Sequence, residues 1–319
     1  MSPLLSLVVP TYSNADGLKK LLTSIASQTV KDIEVVVIDN GATYNVRSAL
    51  REFASTRVKI VSLAHNSYIC FAVNTGVDAS SGSLIGVIND DSWLAHDWAE
   101  YAVAAFTEYP EIGSLASLIF RSDMTTIDSA GNHLGINGLA TKLYWQQPYE
   151  TAPLAPNRVF GPSNSCAVYR RDDFRRAGGF DDDFIAYLDD IDISFRMQLL
   201  GIESHFDPRC KAYHVGNATP KRQARVAFLM ERNTVWNMIK NYPYALLRRH
   251  HREMSASVLR PLPLTNYHSR SAWALGKQAA LVGLPKMIQK RRTIQRSARV
   301  PSTRIEALLL EHEVTVSHL

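Results

Sequence analysis

Three short stretches of this chain carry side chains that could do chemistry. In IGVINDDSWL, residues 85–94, an apolar run ends directly in Asn89, Asp90 and Asp91. Adjacent carboxylates repel one another, and hard oxygen ligands of this kind suit Mg2+ or Mn2+, which take carboxylates together with a substrate's phosphate oxygens. A solvated, strand-ending acidic turn is the plain alternative. In AYLDDIDISFRMQLLG, residues 186–201, Asp189, Asp190 and Asp192 crowd what reads as the first turn of a helix. The helix dipole and its free N–H groups favour acids there, which by itself accounts for a well-capped helix. The chemical reading is that one of these carboxylates faces a cleft and removes a proton from an attacking hydroxyl. KAYHVGN places His214 after a strand-like segment. A lone histidine is ordinarily structural and gains meaning only from its neighbours.

The elements that must position these residues are legible as a pattern. Leu4–Val9, Ile33–Ile38, Val58–Leu63, Leu84–Ile88 and Ile112–Phe120 are short apolar runs. Between them lie segments with helical spacing: Asp16–Gln28, with Leu18, Leu21, Leu22 and Ile25, then Val46–Ala54, Phe71–Ala79 and Asp97–Tyr109. Continuous apolar strands alternating with helices predict a mostly parallel sheet covered on both faces, an α/β fold. Ligands bind such sheets beyond the carboxyl ends of the strands. Thr11, Tyr12, Asp39, Asn40, His65, Asn66, Asn89, Asp90 and Asp91 end these strands and are expected on one rim. From Arg121 to Arg158 the pattern weakens, with glycines at 131, 135 and 138 suggesting loops or a short hairpin. Ser165–Tyr169 reads as a strand, and Asp189–Leu200, Val226–Tyr242 and Tyr244–Met254 read as helices. Pro261 and Pro263 mark a break before the amphipathic, basic stretch Ser271–Arg299.

The bulk composition narrows the class. At 319 residues and 46% hydrophobic, the chain can bury one large core with a smaller appendage. Its formal net charge is +5, and the excess is uneven. Between Glu253 and Glu306 no acid occurs, while Arg260, Arg270, Lys277, Lys286, Lys290, Arg291, Arg292, Arg296, Arg299 and Arg304 do. So one-sided a balance suggests an anionic partner, a lipid surface or nucleic acid. Cys70, Cys166 and Cys210 are widely spaced and form no CxxC, so neither a disulfide framework nor a zinc site is indicated and a reducing compartment is the default. The N-terminal MSPLLSLVVPTY reads as a buried strand. No stretch has the roughly 20 uninterrupted apolar residues a membrane span needs.

Taken together, the motifs resemble glycosyltransferase family 2, with its GT-A fold. The resemblance is carried in order by PLLSLVVPTYSNADGLKKLLTSIASQT, IEVVVIDNGA, VNTGVDASSGSLIGVINDDSWL, TIDSAGNHLGINGLA, GPSNSCAVYRRDDFRRAGGFDDDF, YLDDIDISFRMQLLG and AYHVGN, and it leans to the rhamnosyltransferase-like branch through ERNTVWNMIKNYP. It covers residues 4–243, and it divides the chain into a catalytic domain, 1–220, and a helical basic region, 221–319. It implies an inverting, metal-dependent transferase that moves a sugar, rhamnose being the first candidate, from a dTDP- or UDP-linked donor to a hydroxyl of a glycan or lipid-linked acceptor. It further implies that Pro10, Thr11 and Tyr12 frame the nucleotide and Asp39 binds the base. Asn66, Asn74, Asn89 and Asp90 belong to the donor side, and Asp91, with His214, holds Mg2+ or Mn2+. Asp190 matches the base, and Asp189, Gly161, Ser163 and Asn164 lie on the acceptor side, with Asp128 and Gly131 shaping the sugar site. The chain departs from the family at NSYICFAVN, residues 66–74, where Tyr68 and Phe71 stand in place of common glycines, at Asn89, and at DNGAT.

Three other classes compete. A sugar nucleotidyltransferase shares the sheet and the metal but opens with a Gly-rich basic loop, whereas TYSNADG follows the first strand here. A dehydrogenase would carry G-x-G-x-x-G at that place. A non-catalytic nucleotide-sugar or glycan-binding protein would retain donor binding without turnover. For the tail, a basic amphipathic surface predicts peripheral contact with the cytoplasmic face of a membrane. The plain alternative is a helical subdomain packed on the core or on a second copy of the chain. No nucleic-acid partner is expected from the resemblance.

Overall fold

The computed structural model describes residues 3–53, 57–216, 220–262 and 270–311. Four parallel strands open the chain: β1 (Leu5–Thr11), β2 (Ile33–Asn40), β3 (Val58–Leu63) and β4 (Leu84–Ile88). Three helices connect them, α1 (Ala15–Ala26), α2 (Val46–Ala49) and α3 (Tyr68–Ala79). The side chain of Asn14 accepts from Gly17 N at 3.1 Å and starts α1, whose Leu18, Leu21, Leu22 and Ile25 form the buried face. The expected Val46–Ala54 helix is shorter; a 3-10 turn, Arg51–Phe53, follows α2, and Ala54 lies outside the described residues.

The chain continues through β5 (Ser92–Leu94), α4 (Trp98–Glu108), β6 (Ile112–Arg121), β7 (Ile127–Ser129), β8 (Asn132–Leu134), β9 (Ala140–Lys142), β10 (Asn157–Val159), β11 (Cys166–Arg170), α5 (Arg171–Arg176), α6 (Asp189–Leu199) and β12 (Glu203–His214). The main sheet runs β10-β12-β6-β11-β4-β1-β2-β3. β11 enters antiparallel between β4 and β6, pairing Cys166 with Ile88. The parallel half is as the apolar runs predict, and the other half is mixed. The consequence is functional: the segment before β11 lies against the carboxyl end of β4.

Apolar residues on both faces explain the burial. Val8, Val36 and Ile38 point into one cluster, and Leu7, Val9, Val35 and Val37 into the other. The first cluster continues without interruption into the C-terminal helices α7 (Pro220–Asn241), α8 (Tyr244–Arg249), α9 (His251–Leu259), α10 (Arg270–Ser297) and α11 (Ser302–Glu311), through Trp236, Met238, Tyr242, Leu246, Ala280, Met287, Ile305 and Leu309. The expected Tyr244–Met254 helix is thus two helices. Pro263 and Asn217 lie outside the described residues.

Half of the basic side chains in the tail serve this packing. Lys277 pairs with Glu231 at 2.8 Å, Lys286 with Asp183 at 2.6 Å, and Lys290 with Asp183 at 2.6 Å and with Asp181. Arg291 donates to the carbonyls of Ile239 and Tyr242 at 2.8 and 2.6 Å, and Arg304 pairs with Glu203 at 2.7 Å. No helix among the described residues is long and apolar enough to cross a membrane.

Candidate active site at the carboxyl ends of the strands

The strand ends come together as the topology requires. Thr11 donates its hydroxyl to Asp90 at 2.7 Å and lies 2.6 Å from the Tyr44 hydroxyl, while Asn14 donates to the Asp90 carbonyl at 3.1 Å. Burial, assisted by the neighbouring charge of Asp91, pushes the Asp90 carboxyl up to about 6 in spite of the Thr11 hydrogen bond. Asp90 therefore faces inward and ties β1 to β4. Pro10 lies in buried β1, and the Tyr12 ring is exposed at the rim beyond it. Asp39 accepts from Ala42 N at 2.9 Å, closing the turn after β2. Asn40 donates to Asn66 at 3.3 Å and to the Tyr68 carbonyl at 3.3 Å. Tyr68 holds a φ of 62°, a conformation natural to glycine, and its ring lies 4.8 Å from the Arg225 guanidinium. Asn74 reaches across to the segment before α6, where its amide bonds the backbone of Phe180 in both directions, at 2.8 and 2.9 Å, and Asp182 at 3.0 Å.

Asp91 points the other way. The β5–β12 pairing sets His214 opposite Ser92, and Val215 N donates to the Asp91 carbonyl at 3.1 Å. His214 Nε2 is 3.2 Å from the Asp91 carboxylate, and Nδ1 is 3.3 Å from Asp128, which is itself 2.7 Å from Lys142. Burial disfavours the imidazolium, but the hydrogen bonds to Asp128 and Asp91 outweigh it and raise the His214 pKa to about 9. Burial likewise penalises the Asp128 carboxylate, and His214 and Lys142 more than reverse this, holding it below the ordinary range. Asp91 and His214 Nε2 are in direct hydrogen-bond contact, the other nitrogen is anchored by Asp128, and a divalent cation held by the pair would take the place of the proton between them. This donor set fits a divalent cation that takes its remaining ligands from water and phosphate oxygens. Among the described residues no group of three or more such ligands is gathered in advance.

The acids of α6 separate by environment. Asp192 is fully buried, bonded by Arg196 at 2.7 and 3.1 Å, by Lys240 at 2.6 Å and by Asn241 at 2.8 Å. Asp189 is buried and accepts from Asn164 at 2.7 Å, and burial with the adjacent Asp190 charge raises it to about 7. Asp190 is partly exposed and accepts from Asn132 at 2.8 Å; burial raises its pKa too, against that hydrogen bond. The segment 161–165 carries the partners. Asn132 also donates to the Pro162 carbonyl at 2.9 Å, Asn132 N to Gly161 O at 2.7 Å, and Tyr169 to Asn164 at 2.8 Å. Gly161 must be glycine, since a Cβ there would lie 1.8 Å from Ser194 Oγ. Ser163 is buried beside it, and the Ser165 carbonyl accepts from Asn89 N at 3.2 Å and from the Ser92 hydroxyl at 3.1 Å. The segment 161–165 thus links the DDS turn to the α6 acids.

Sequence reasoning passed over Asn14, Tyr44, Asn132 and Lys142. Asn132 lies inside the quoted TIDSAGNHLG run and Asn14 inside PTYSNADGLKK, where it caps α1; the contacts of Tyr44 and Lys142 have no local signature.

Comparison with known proteins gives the family and the fold. Residues 6–178 match the model of glycosyl transferase family 2. An uncharacterized protein, y4gI, of Sinorhizobium fredii is 26% identical over 245 residues, 70% of this chain, which spans only 26% of that relative's length. The N-acetylglucosaminyl-diphospho-decaprenol L-rhamnosyltransferase of Mycobacterium tuberculosis is 24% identical over 270 residues, covering 74% of this chain and 87% of that protein. Among solved structures, a mannosyltransferase of Pyrobaculum calidifontis in complex with GDP-Man and Mn2+ superposes with a TM-score of 0.56 at 17% identity, covering 93% of this chain and 86% of the other; it shares the GT-A fold. The chain belongs to glycosyl transferase family 2.

Proposed function

We propose that this protein is a metal-dependent, inverting glycosyltransferase in cell-surface polysaccharide synthesis, taking a dTDP- or UDP-linked sugar, rhamnose first among the candidates, to a hydroxyl of a glycan or lipid-linked acceptor. One observation carries the assignment of the base. Of the three acids that begin α6, Asp192 is locked by two cations and Asp189 is buried, which leaves Asp190 as the partly exposed carboxylate with an oriented lone pair. Asp190 accepts the acceptor hydroxyl's proton as that oxygen attacks the anomeric carbon from the face opposite the diphosphate. Asn132 fixes the carboxylate's orientation, and burial raises its proton affinity above the ordinary carboxylate range. Asp91 and His214 would hold Mg2+ or Mn2+, which when bound supplies Lewis-acid stabilisation of the diphosphate leaving group. Tyr12, Asp39 and Asn66 line the rim where the nucleotide is proposed to lie.

The same reading extends to the acceptor's location. The outward face of α10 carries Leu275, Leu281, Val282 and Ile288, exposed by 55, 64, 79 and 44%, followed by exposed Arg292, Arg296 and Arg299. An apolar stripe with a cationic end supports peripheral contact with an anionic membrane on its cytoplasmic face, where a lipid-linked acceptor would wait. A second copy of the chain is the alternative occupant.

The test is a thermal-shift screen of dTDP-, UDP- and GDP-sugars with Mn2+, followed by product analysis of the best donor. A product of inverted anomeric configuration and loss of turnover in EDTA are expected. Unchanged turnover in excess EDTA, or nucleotide-sugar synthesis from a sugar phosphate, overturns the proposal.

A further inference from the structure

The acids of α6 are delivered by a strained stretch of chain. Ile185, Tyr187 and Leu188 have φ values of 69°, 64° and 58°, in the left-handed region that side chains disfavour. Such backbone persists only where its surroundings over-determine it. Here the surroundings are two adjacent residues of α7. Asn233, fully buried, directs Nδ2 at three carbonyls at once: Phe184 at 3.1 Å, Ala186 at 2.9 Å and Tyr187 at 2.7 Å. Arg232 Nη2 donates to the carbonyls of Asp183 and Phe184 at 3.0 and 2.9 Å. Its Nε donates to Asn233 Oδ1 at 2.9 Å, which fixes the amide with its nitrogen toward the loop. The guanidinium is held in turn over the Trp236 ring at 4.2 Å. On its far side the loop receives Ile69 N at the Ile185 carbonyl, 3.3 Å away, from the first turn of α3 beside Tyr68.

We infer that Arg232 and Asn233 are positioning residues for the proposed base: they hold the 184–188 backbone in its strained form and so fix where Asp190 stands against the acceptor. The inference rests on the reading of Asp190 as that base. It makes α7 part of the catalytic apparatus. A residue that merely joined the helices to the core would, when altered, lower thermal stability and leave the rate of the folded enzyme alone.

The experiment compares Asn233→Ala with Trp98→Phe, a substitution in the other core cluster, at a temperature where both are folded. Nucleoside diphosphate release from dTDP-L-rhamnose, UDP-N-acetylglucosamine and GDP-mannose in Mn2+, with water as acceptor, gives kcat and KM. Amide exchange of residues 183–188 gives the loop. The Asn233→Ala enzyme is expected to lose kcat by about 30-fold or more with donor KM within about threefold, to exchange faster in the loop, and to lose nothing further in an Asp190→Asn background, the non-additivity of groups acting as a unit. Asn233→Ser, which keeps one donor, gives an intermediate loss and serves if the alanine variant does not fold. A kcat matching that of Trp98→Phe, or a full additional loss on top of Asp190→Asn, overturns the inference while leaving the base assignment intact. An Asp190→Asn enzyme with undiminished kcat overturns the base assignment itself.

Discussion

Asp128 and His214 are 86 residues apart in the chain and meet at 3.3 Å, carboxylate to Nδ1, which turns Nε2 toward Asp91. A histidine anchored in this way presents its other nitrogen in a fixed direction, the arrangement that orients metal-ligating imidazoles. Asp128→Asn is expected to weaken Mn2+ binding by about 10- to 100-fold, the usual worth of such an outer partner. Titration of free Mn2+ by electron paramagnetic resonance measures this directly, and an unchanged affinity would show that His214 does not depend on Asp128.

Two acids only two residues apart are expected to fail differently. Asp190→Asn should keep nucleotide binding and lose transfer by about 10²- to 10⁴-fold, the range for a general base. Asp192→Asn should act on stability, because it leaves Arg196 with a neutral partner and Lys240 with Asp181 as its one remaining carboxylate in a buried site. Breaking such a network costs about 3–5 kcal/mol. Paired melting curves and rates separate the two, and a stable Asp192→Asn protein with crippled turnover would exchange their roles.

The pair Asp189–Asp190 makes a pH prediction. Asp189 has an ordinary value of 3.8 and is raised to about 7 in the fold. Between those limits the folded state holds a proton that the unfolded chain has released. Folding stability from this group is therefore highest below pH 3.8, falls as pH rises, and levels off above about 7. Activity runs the opposite way, since the proposed base must be ionised. The kcat profile should show an acid limb whose apparent value belongs to the pair. Asn132→Ala, which removes a hydrogen bond to the Asp190 carboxylate, should move that limb to higher pH. A limb unmoved by Asn132→Ala places the titration elsewhere.

The tail is best probed at its surface. Truncation near Met254 would uncover Trp236 and Met238, which share a core with Ala280 and Met287, and so confounds anchoring with folding. The double variant Leu281→Glu, Val282→Glu touches exposed positions and should change stability by no more than about 0.5 kcal/mol. It is expected to abolish sedimentation with phosphatidylglycerol vesicles at physiological salt while leaving donor turnover unchanged. If the wild-type protein ignores vesicles and the variant instead halves the mass measured by light scattering, α10 joins two copies of the chain.

The parallel half of the sheet, the rim and the motifs are legible in the residues alone. Continuous apolar runs such as IEVVVI permit burial on both faces, and the polar residues that end them must then share one edge. The sequence also placed Asp189, Asp190 and Asp192 on one helix start, since helical spacing is a local property. What it left open was which acid is locked and which is available. That depends on Asn132, Asn164, Lys240 and Asn241, which lie 58 and 25 residues before their carboxylates in the first two cases and reach Asp192 from α7 in the others. Only tertiary structure could decide this, because a carboxylate's proton affinity is set by burial and by partners through space. The basic tail shows the same division: its charge was countable, but Lys286 and Lys290 proved to pair with Asp183, and the fold alone selected the face of α10 that carries Leu281, Val282 and Arg292 outward.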